Sequence, residues 1–205
     1  MYNNVLTQNR KLKKTSQIAG KRVINFGIPA YKSETGKVTC PFADKCIKYC
    51  YARKGSFRWP STVNAYERRY RIAQSPDFET IINAALVLQN PHYVRVHDSG
   101  DYFSKKYMDR WFSIMRENPN IKFYSYTNNV LMMKHYEGEM PDNFDYILST
   151  DGKQRYHVDK HTDRHAVIFK TLEKLEQAGY VNASENDLIA TRWYNSNNKI
   201  GLIKH

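Results

Sequence analysis

All three cysteines of this chain lie within eleven residues of one another, in TCPFADKCIKYCYARKG (39–55). Cys40, Cys46 and Cys50 follow the spacing C-x5-C-x3-C. Thiolates ligate soft or borderline metals, and two short spacings let one loop wrap one centre. Three thiolates and a fourth ligand complete a zinc tetrahedron, with His97 or His92 as the fourth; three alone hold a [4Fe–4S] cluster with one iron open. Zinc is the favoured expectation and the iron–sulfur cluster the alternative. Free cysteines are also common in cores, but Pro41, Asp44, Lys45 and Lys48 make this stretch too polar for one. A disulfide is not expected in a reducing cytoplasm, and three thiols cannot all pair.

Carboxylates form the second constellation. HDSGD (97–101) sets Asp98 and Asp101 on either side of Ser99 and Gly100, on one tight turn. Nearby carboxylates can be driven to different pKa values, so that one serves as acid and the other as base. A carboxylate can also be the nucleophile at a glycosidic carbon. Asp145 and Asp151 flank a further apolar run, and whether Asp145 faces the chemistry depends on where that strand begins. Asn128, in TNN (127–129), joins Ser99 and Gly100 as a candidate substrate contact. Turn chemistry alone also selects Asp, Asn and Gly at such places.

These groups need elements to position them. RVINFGIPA (22–30), HYVRVHD (92–98), IKFYSYT (121–127), FDYILST (144–150) and HAVIFK (165–170) read as strands. DLIAT (187–191) and KIGLIK (199–204) read as short ones. STVNAYERRYRIAQ (61–74), with Ser61 as N-cap, reads as a helix, as do 76–90, 104–118, 129–136 and 171–179. Tyr107, Met108, Trp111, Phe112 and Met115 make the apolar face of the third. The alternation predicts one α/β domain over residues 1–205, a partial β/α barrel with mainly parallel strands. Residues 1–20 form a basic N-terminal segment and residues 39–55 a metal loop. Such folds put chemistry at the carboxyl ends of strands, which is where the thiols, HDSGD, TNN and STDGK fall.

Bulk properties bear on partners. The 205 residues carry 32 Lys and Arg against 20 Asp and Glu, a net charge of +12. The excess is uneven: eight basic residues and one acid, Glu67, lie from Lys45 to Arg71, interleaved with aromatics. Arg53, Lys54, Arg58, Arg68 and Arg69 are candidate phosphate contacts, and the aromatic planes can stack on unpaired bases. A nucleic-acid partner, DNA or tRNA, is expected, with a solvated basic surface as the plain alternative. Arg192 and Lys199 are further possible phosphate contacts. No apolar run approaches the ~18 residues of a spanning helix, and no signal peptide is evident, so a cytoplasmic protein without membrane association is expected.

Two family resemblances follow from these motifs. HDSGDYF resembles the DSGGFQ-type turn of the tRNA-guanine transglycosylases and their relatives that insert 7-deazaguanines into DNA. NFDYILSTDGK is similar to that family's nucleophile strand. The resemblance implies base exchange, with Asp98 as acid/base, Asp145 as nucleophile, a 7-deazaguanine as incoming base and a zinc on three Cys and one His. The second resemblance is to radical SAM enzymes, whose cluster cysteines follow the first barrel strand with an aromatic before the last, as Tyr49 precedes Cys50. YSYTNN and ILSTDG resemble their later strands, and SGD resembles the turn that holds the S-adenosylmethionine amine. It implies a [4Fe–4S] cluster with S-adenosylmethionine. The run CP…C…CYA followed by HDSGD also looks like small phage-encoded proteins. A third expectation is non-enzymatic: a zinc-stabilised nucleic-acid-binding protein.

Overall fold

The computed structural model describes residues 4–204. Seven strands form one sheet in the order β1-β2-β3-β4-β5-β7-β6, and every pairing is parallel. They are β1 (Val23–Phe26), β2 (Tyr93–Val96), β3 (Lys122–Thr127), β4 (Phe144–Ser149), β5 (His165–Phe169), β6 (Val181–Asn182) and β7 (Lys199–Ile203). The sheet curls into a half-barrel, as the strand–helix alternation predicts. The helices are α1 (Arg10–Ala19), α2 (Pro60–Gln74), α3 (Phe78–Gln89), α4 (Lys105–Glu117), α5 (Val130–His135) and α6 (Leu172–Gln177).

Strands β1 to β4 are mostly buried on both faces because both faces are covered. On β1, Ile24 and Phe26 join the outer core while Val23 joins the inner one. The outer core lies beneath α2 to α5, where Trp111 meets Phe26 and Phe78 edge-on, each with ring centroids 5.3 Å apart. The apolar face expected on α4 is buried as drawn, and Ser104 caps it by accepting from the Tyr107 amide. Helix α2 starts one residue earlier than its sequence suggests: Pro60 takes the first turn, so Ser61 is inside the helix and not its cap. Residues 187–190 form a 3-10 turn where a strand was expected, because Asn186 caps the turn through the Leu188 amide.

The inner face is closed by the basic N-terminal segment, which is helical. Residues 10–19 form α1, whose Leu12 packs with Tyr124, Ile147, Leu188 and Ile200 inside the half-barrel. Asp187 secures this closure. Its carboxylate is fully buried and accepts from Lys11 Nζ at 2.6 Å, Arg95 NH1 at 3.0 Å, Tyr124 OH at 2.7 Å and Tyr126 OH at 3.3 Å. Its own amide donates to Thr15 Oγ1 on α1 at 3.0 Å. Burial alone would raise the Asp187 pKa; Arg95 and Lys11 override it and hold the carboxyl well below the usual range.

A depressed folded pKa contributes stability above the unfolded Asp value of about 3.9, and loses it as pH falls below that value. Asp187→Asn is expected to lower stability by about 3–5 kcal/mol at pH 7, since it leaves Arg95 and Lys11 buried without a counter-charge. Chemical denaturation of both proteins across pH should show the deficit shrinking below pH ~4. A deficit unchanged from pH 7 to pH 3 contradicts this.

Candidate functional site

The site is built at the carboxyl ends of β1 to β4. After β1 the chain forms a short hairpin, with Lys32 bridging Val38, and enters the cysteine loop through Thr39, whose hydroxyl donates to Pro29 O at 2.6 Å. Three successive 3-10 turns follow, Lys45–Lys48, Tyr51–Arg53 and Gly55–Arg58. The loop crosses the strand ends and is tied to the segment after β4. Lys45 N donates to Asp151 O at 3.0 Å, Lys153 N to Phe42 O at 2.8 Å, and Arg155 pairs with Asp44 at 2.6 Å.

This path brings Cys40, Cys46 and Cys50 to the wall of one cavity of about 150 Å³, shared with Asp98, Asn128 and Ser149. Ser99, Gly100, Asp101, His97 and Arg53 also reach that wall. The three cysteines are free thiols. Burial pushes Cys40 up to about 12, with the charge of Asp101 adding to it, and burial also raises Cys46 and Cys50. In the absence of a bound cation the thiols are therefore protonated at neutral pH. Cys40 Sγ accepts the Tyr31 amide at 3.2 Å, the one contact that favours its thiolate.

The HDSGD turn is tightly fixed. Gly100 has φ +83°, and a Cβ there would lie 2.2 Å from Ile28 Cγ1. Ile28 N donates to Ser99 O at 3.0 Å and Asp101 N to Thr39 O at 3.0 Å, so the turn is stitched to both ends of the hairpin. The two aspartates differ. Asp101 is spent: its carboxylate accepts from Thr127 Oγ1 at 2.6 Å, Tyr102 N at 2.8 Å and Asn128 N at 2.9 Å. Burial raises its pKa to about 6 against those bonds. Asp98 Oδ2 accepts from Tyr66 OH at 3.0 Å and Asn9 Nδ2 at 3.2 Å, while Oδ1 is buried without a partner. The carboxylate sits where Gly27 has no side chain; a Cβ there would fall 2.0 Å from Oδ1. Asp98 therefore has one carboxylate oxygen without a partner, whereas both oxygens of Asp101 are bonded.

Several expected site residues stand elsewhere. Strand β4 begins at Phe144, so Asp145 is at its amino end, fully buried, taking the Arg192 amide at 2.6 Å and Arg192 Nε at 2.9 Å. It is not gathered with Asp98, because the strand runs from it toward the site and does not end on it. Asp151 follows β4 but is not on the cavity wall; its carbonyl accepts the Lys45 amide at 3.0 Å, and burial together with its carboxylate raises the Tyr49 pKa. His97, with φ +68°, turns its Nε2 to Tyr107 OH at 3.0 Å. Burial, with Arg95 nearby, drives its pKa down to about 3, so it stays neutral. Among the described residues no group of three His, Cys, Asp or Glu side chains is placed to hold a single metal ion. Arg69 is buried, donating from Nε to Gly27 O at 2.9 Å and stacking on Tyr66, which removes it from any surface contact. Lys54, Arg58 and Arg68 are exposed.

A second cavity, of about 450 Å³, opens from the first into the half-barrel, with Cys46, Cys50, Tyr51, Arg95 and Tyr126 common to both. Arg95 and Lys11 belong to it and were not anticipated; only their charge, in a strand and an amphipathic segment that otherwise bury apolar groups, marks them in the sequence. Among the described residues no helix is long and apolar enough to cross a membrane.

No solved structure matches this chain. A curated relative, the Gene 88 protein of Mycobacterium phage L5, is 23% identical over 125 residues, which is 55% of this chain and 52% of the relative. The chain thus matches about half the length of that relative. The model of the family described as Gene product 88 matches residues 4–204, and the chain belongs to that family.

Proposed function

We propose that the protein is an enzyme holding a [4Fe–4S] cluster on Cys40, Cys46 and Cys50 and acting with S-adenosylmethionine. The observation that carries this reading is the convergence of all three thiols on one cavity at the strand ends, next to a larger chamber. The donor set suits a cluster better than a single ion. In a cluster each thiolate binds a different iron, so the thiols stand further apart than the ligands of one zinc, and three of them leave one iron open. His97 Nε2 is engaged by Tyr107 and its Nδ1 is buried without a partner, and no group of three ligating side chains that includes it is placed on one metal ion among the described residues. When bound and reduced, such a cluster supplies the electron for cleavage of S-adenosylmethionine.

The chain's own residues prepare the site. Burial disfavours free thiolates, so the thiols lose their protons on metal loading, and loading is favoured by rising pH. Asp98 is on the cavity wall and has an unpartnered Oδ1, which makes it the acceptor we assign to an ammonium group, a role SGD suggested for Asp101. Tyr66 and Asn9 fix the orientation of that carboxylate. The stitching of residues 41–45 to the segment after β4 holds the cysteine loop over the strand ends. Base exchange would use Asp98 with a second carboxylate across the substrate, and Asp145, held by Arg192, does not serve as that partner.

Protein purified without oxygen should be brown, with about four iron and four sulfide per chain, and Cys46→Ala should lose most of both. A colourless protein with one zinc per chain would overturn the reading. Asp98→Asn should keep the iron of the parent and lower reductive cleavage of S-adenosylmethionine by roughly tenfold or more, the loss of one charge-assisted hydrogen bond. Cleavage at the parent rate would show that Asp98 has no part in it.

A further inference from the structure

The larger chamber is unusual in its charge. Its charged wall residues are Arg10, Lys11, Arg95 and Lys204, all cations. Behind the wall, Lys11 and Arg95 share the single carboxylate of Asp187, so this buried trio keeps a net positive charge. Arg95 is only 9% exposed, and its Nε has no hydrogen-bond partner. Burying a cation without full compensation is costly, and a site that does so is poised for an anion.

Helix α1 adds to this. Its first turn holds Arg10 and Lys11 and no acid, although the positive end of a helix dipole favours acids there. Both side chains line the chamber, so the adverse placement concentrates positive potential in it. The rest of the wall is mostly aromatic and apolar, with Tyr49, Tyr51, Phe57 and Tyr126 presenting rings and Asn9, Ser56 and Ser184 adding uncharged polar groups. The Arg95 guanidinium already lies over the Tyr126 ring, 4.7 Å from its centroid. Cations in surplus suit a phosphate, and flat rings suit a base.

We infer that this chamber binds a nucleoside phosphate, with the phosphate held between the start of α1 and Lys204 and the base among the tyrosines. The unit is either a free nucleotide or one nucleotide of a strand, since both carry the same chemistry. As the substrate pocket of the proposed cluster enzyme it rests on that reading; as a phosphate site it does not need the cluster.

The test is calorimetric titration of the full chain as purified, without S-adenosylmethionine or reductant. The probes are guanosine 5′-monophosphate, guanosine and a single-stranded DNA 12-mer. Guanosine is expected to bind at least about tenfold more weakly than its monophosphate. The exposed double reversal Arg10→Glu/Lys204→Glu should weaken the monophosphate at least about tenfold, while Lys13→Glu/Lys160→Glu, with the same change in net charge, stays within about twofold. A 12-mer that displaces the monophosphate at lower concentration identifies a strand as the source; a monophosphate that outcompetes the 12-mer identifies a free nucleotide. No binding of the monophosphate, equal affinity for guanosine, or equal loss in both double reversals overturns the inference. A colourless protein that still binds the monophosphate through Arg10 and Lys204 would refute the cluster and leave the chamber intact.

Discussion

A curled parallel sheet has a concave face that something must cover, and here one buried carboxylate fastens the cover. Asp187 draws in Lys11 from α1, Arg95 from β2, and Tyr124 and Tyr126 from β3. Without it, α1 would bring a basic first turn against buried cations with nothing to offset them. With it, the amino-terminal helix seals one end of the half-barrel and leaves the other end open as a chamber. The functional surfaces follow from that division. Strand ends carry the thiols and Asp98, and the chamber behind them carries the positive charge.

The cysteine loop shows how backbone geometry positions reactive groups. Gly100 and Gly27 have no side chain where Ile28 and Asp98 crowd in, so the HDSGD turn lies flat against the end of β1. Asp101 then joins three segments at once, accepting from Thr127, Asn128 and Tyr102 while its amide holds Thr39. The difference between the two aspartates comes from this packing: one is a structural junction, the other keeps a buried oxygen without a partner.

Much of this was legible in the sequence because it rests on local periodicity. The β–α alternation gives the parallel sheet, and the face of α4 is read directly from Tyr107, Met108, Trp111, Phe112 and Met115. The rule that chemistry follows strands correctly grouped the thiols with HDSGD and Asn128. What sequence did not give depends on contacts between distant segments. Asp187 looks like a turn residue until Lys11 and Arg95, far away in the chain, are folded onto it. Residues 10–19 look like a basic tail because their apolar positions, Leu12 foremost, are few. Asp145 looked reactive because motif order hides which end of a strand a residue occupies. Arg69 looked like a surface cation in a basic run, yet its Nε meets Gly27 O inside the fold.

The central claim is that three thiols, each on a different iron, share one cluster with an open site. X-ray absorption at the iron and zinc edges, on protein purified without oxygen, tests it most directly. Iron in sulfur coordination with short iron–iron scattering, changed on adding S-adenosylmethionine, is the predicted result. Zinc in a tetrahedral shell of three sulfurs and one light atom, with no iron, would contradict it.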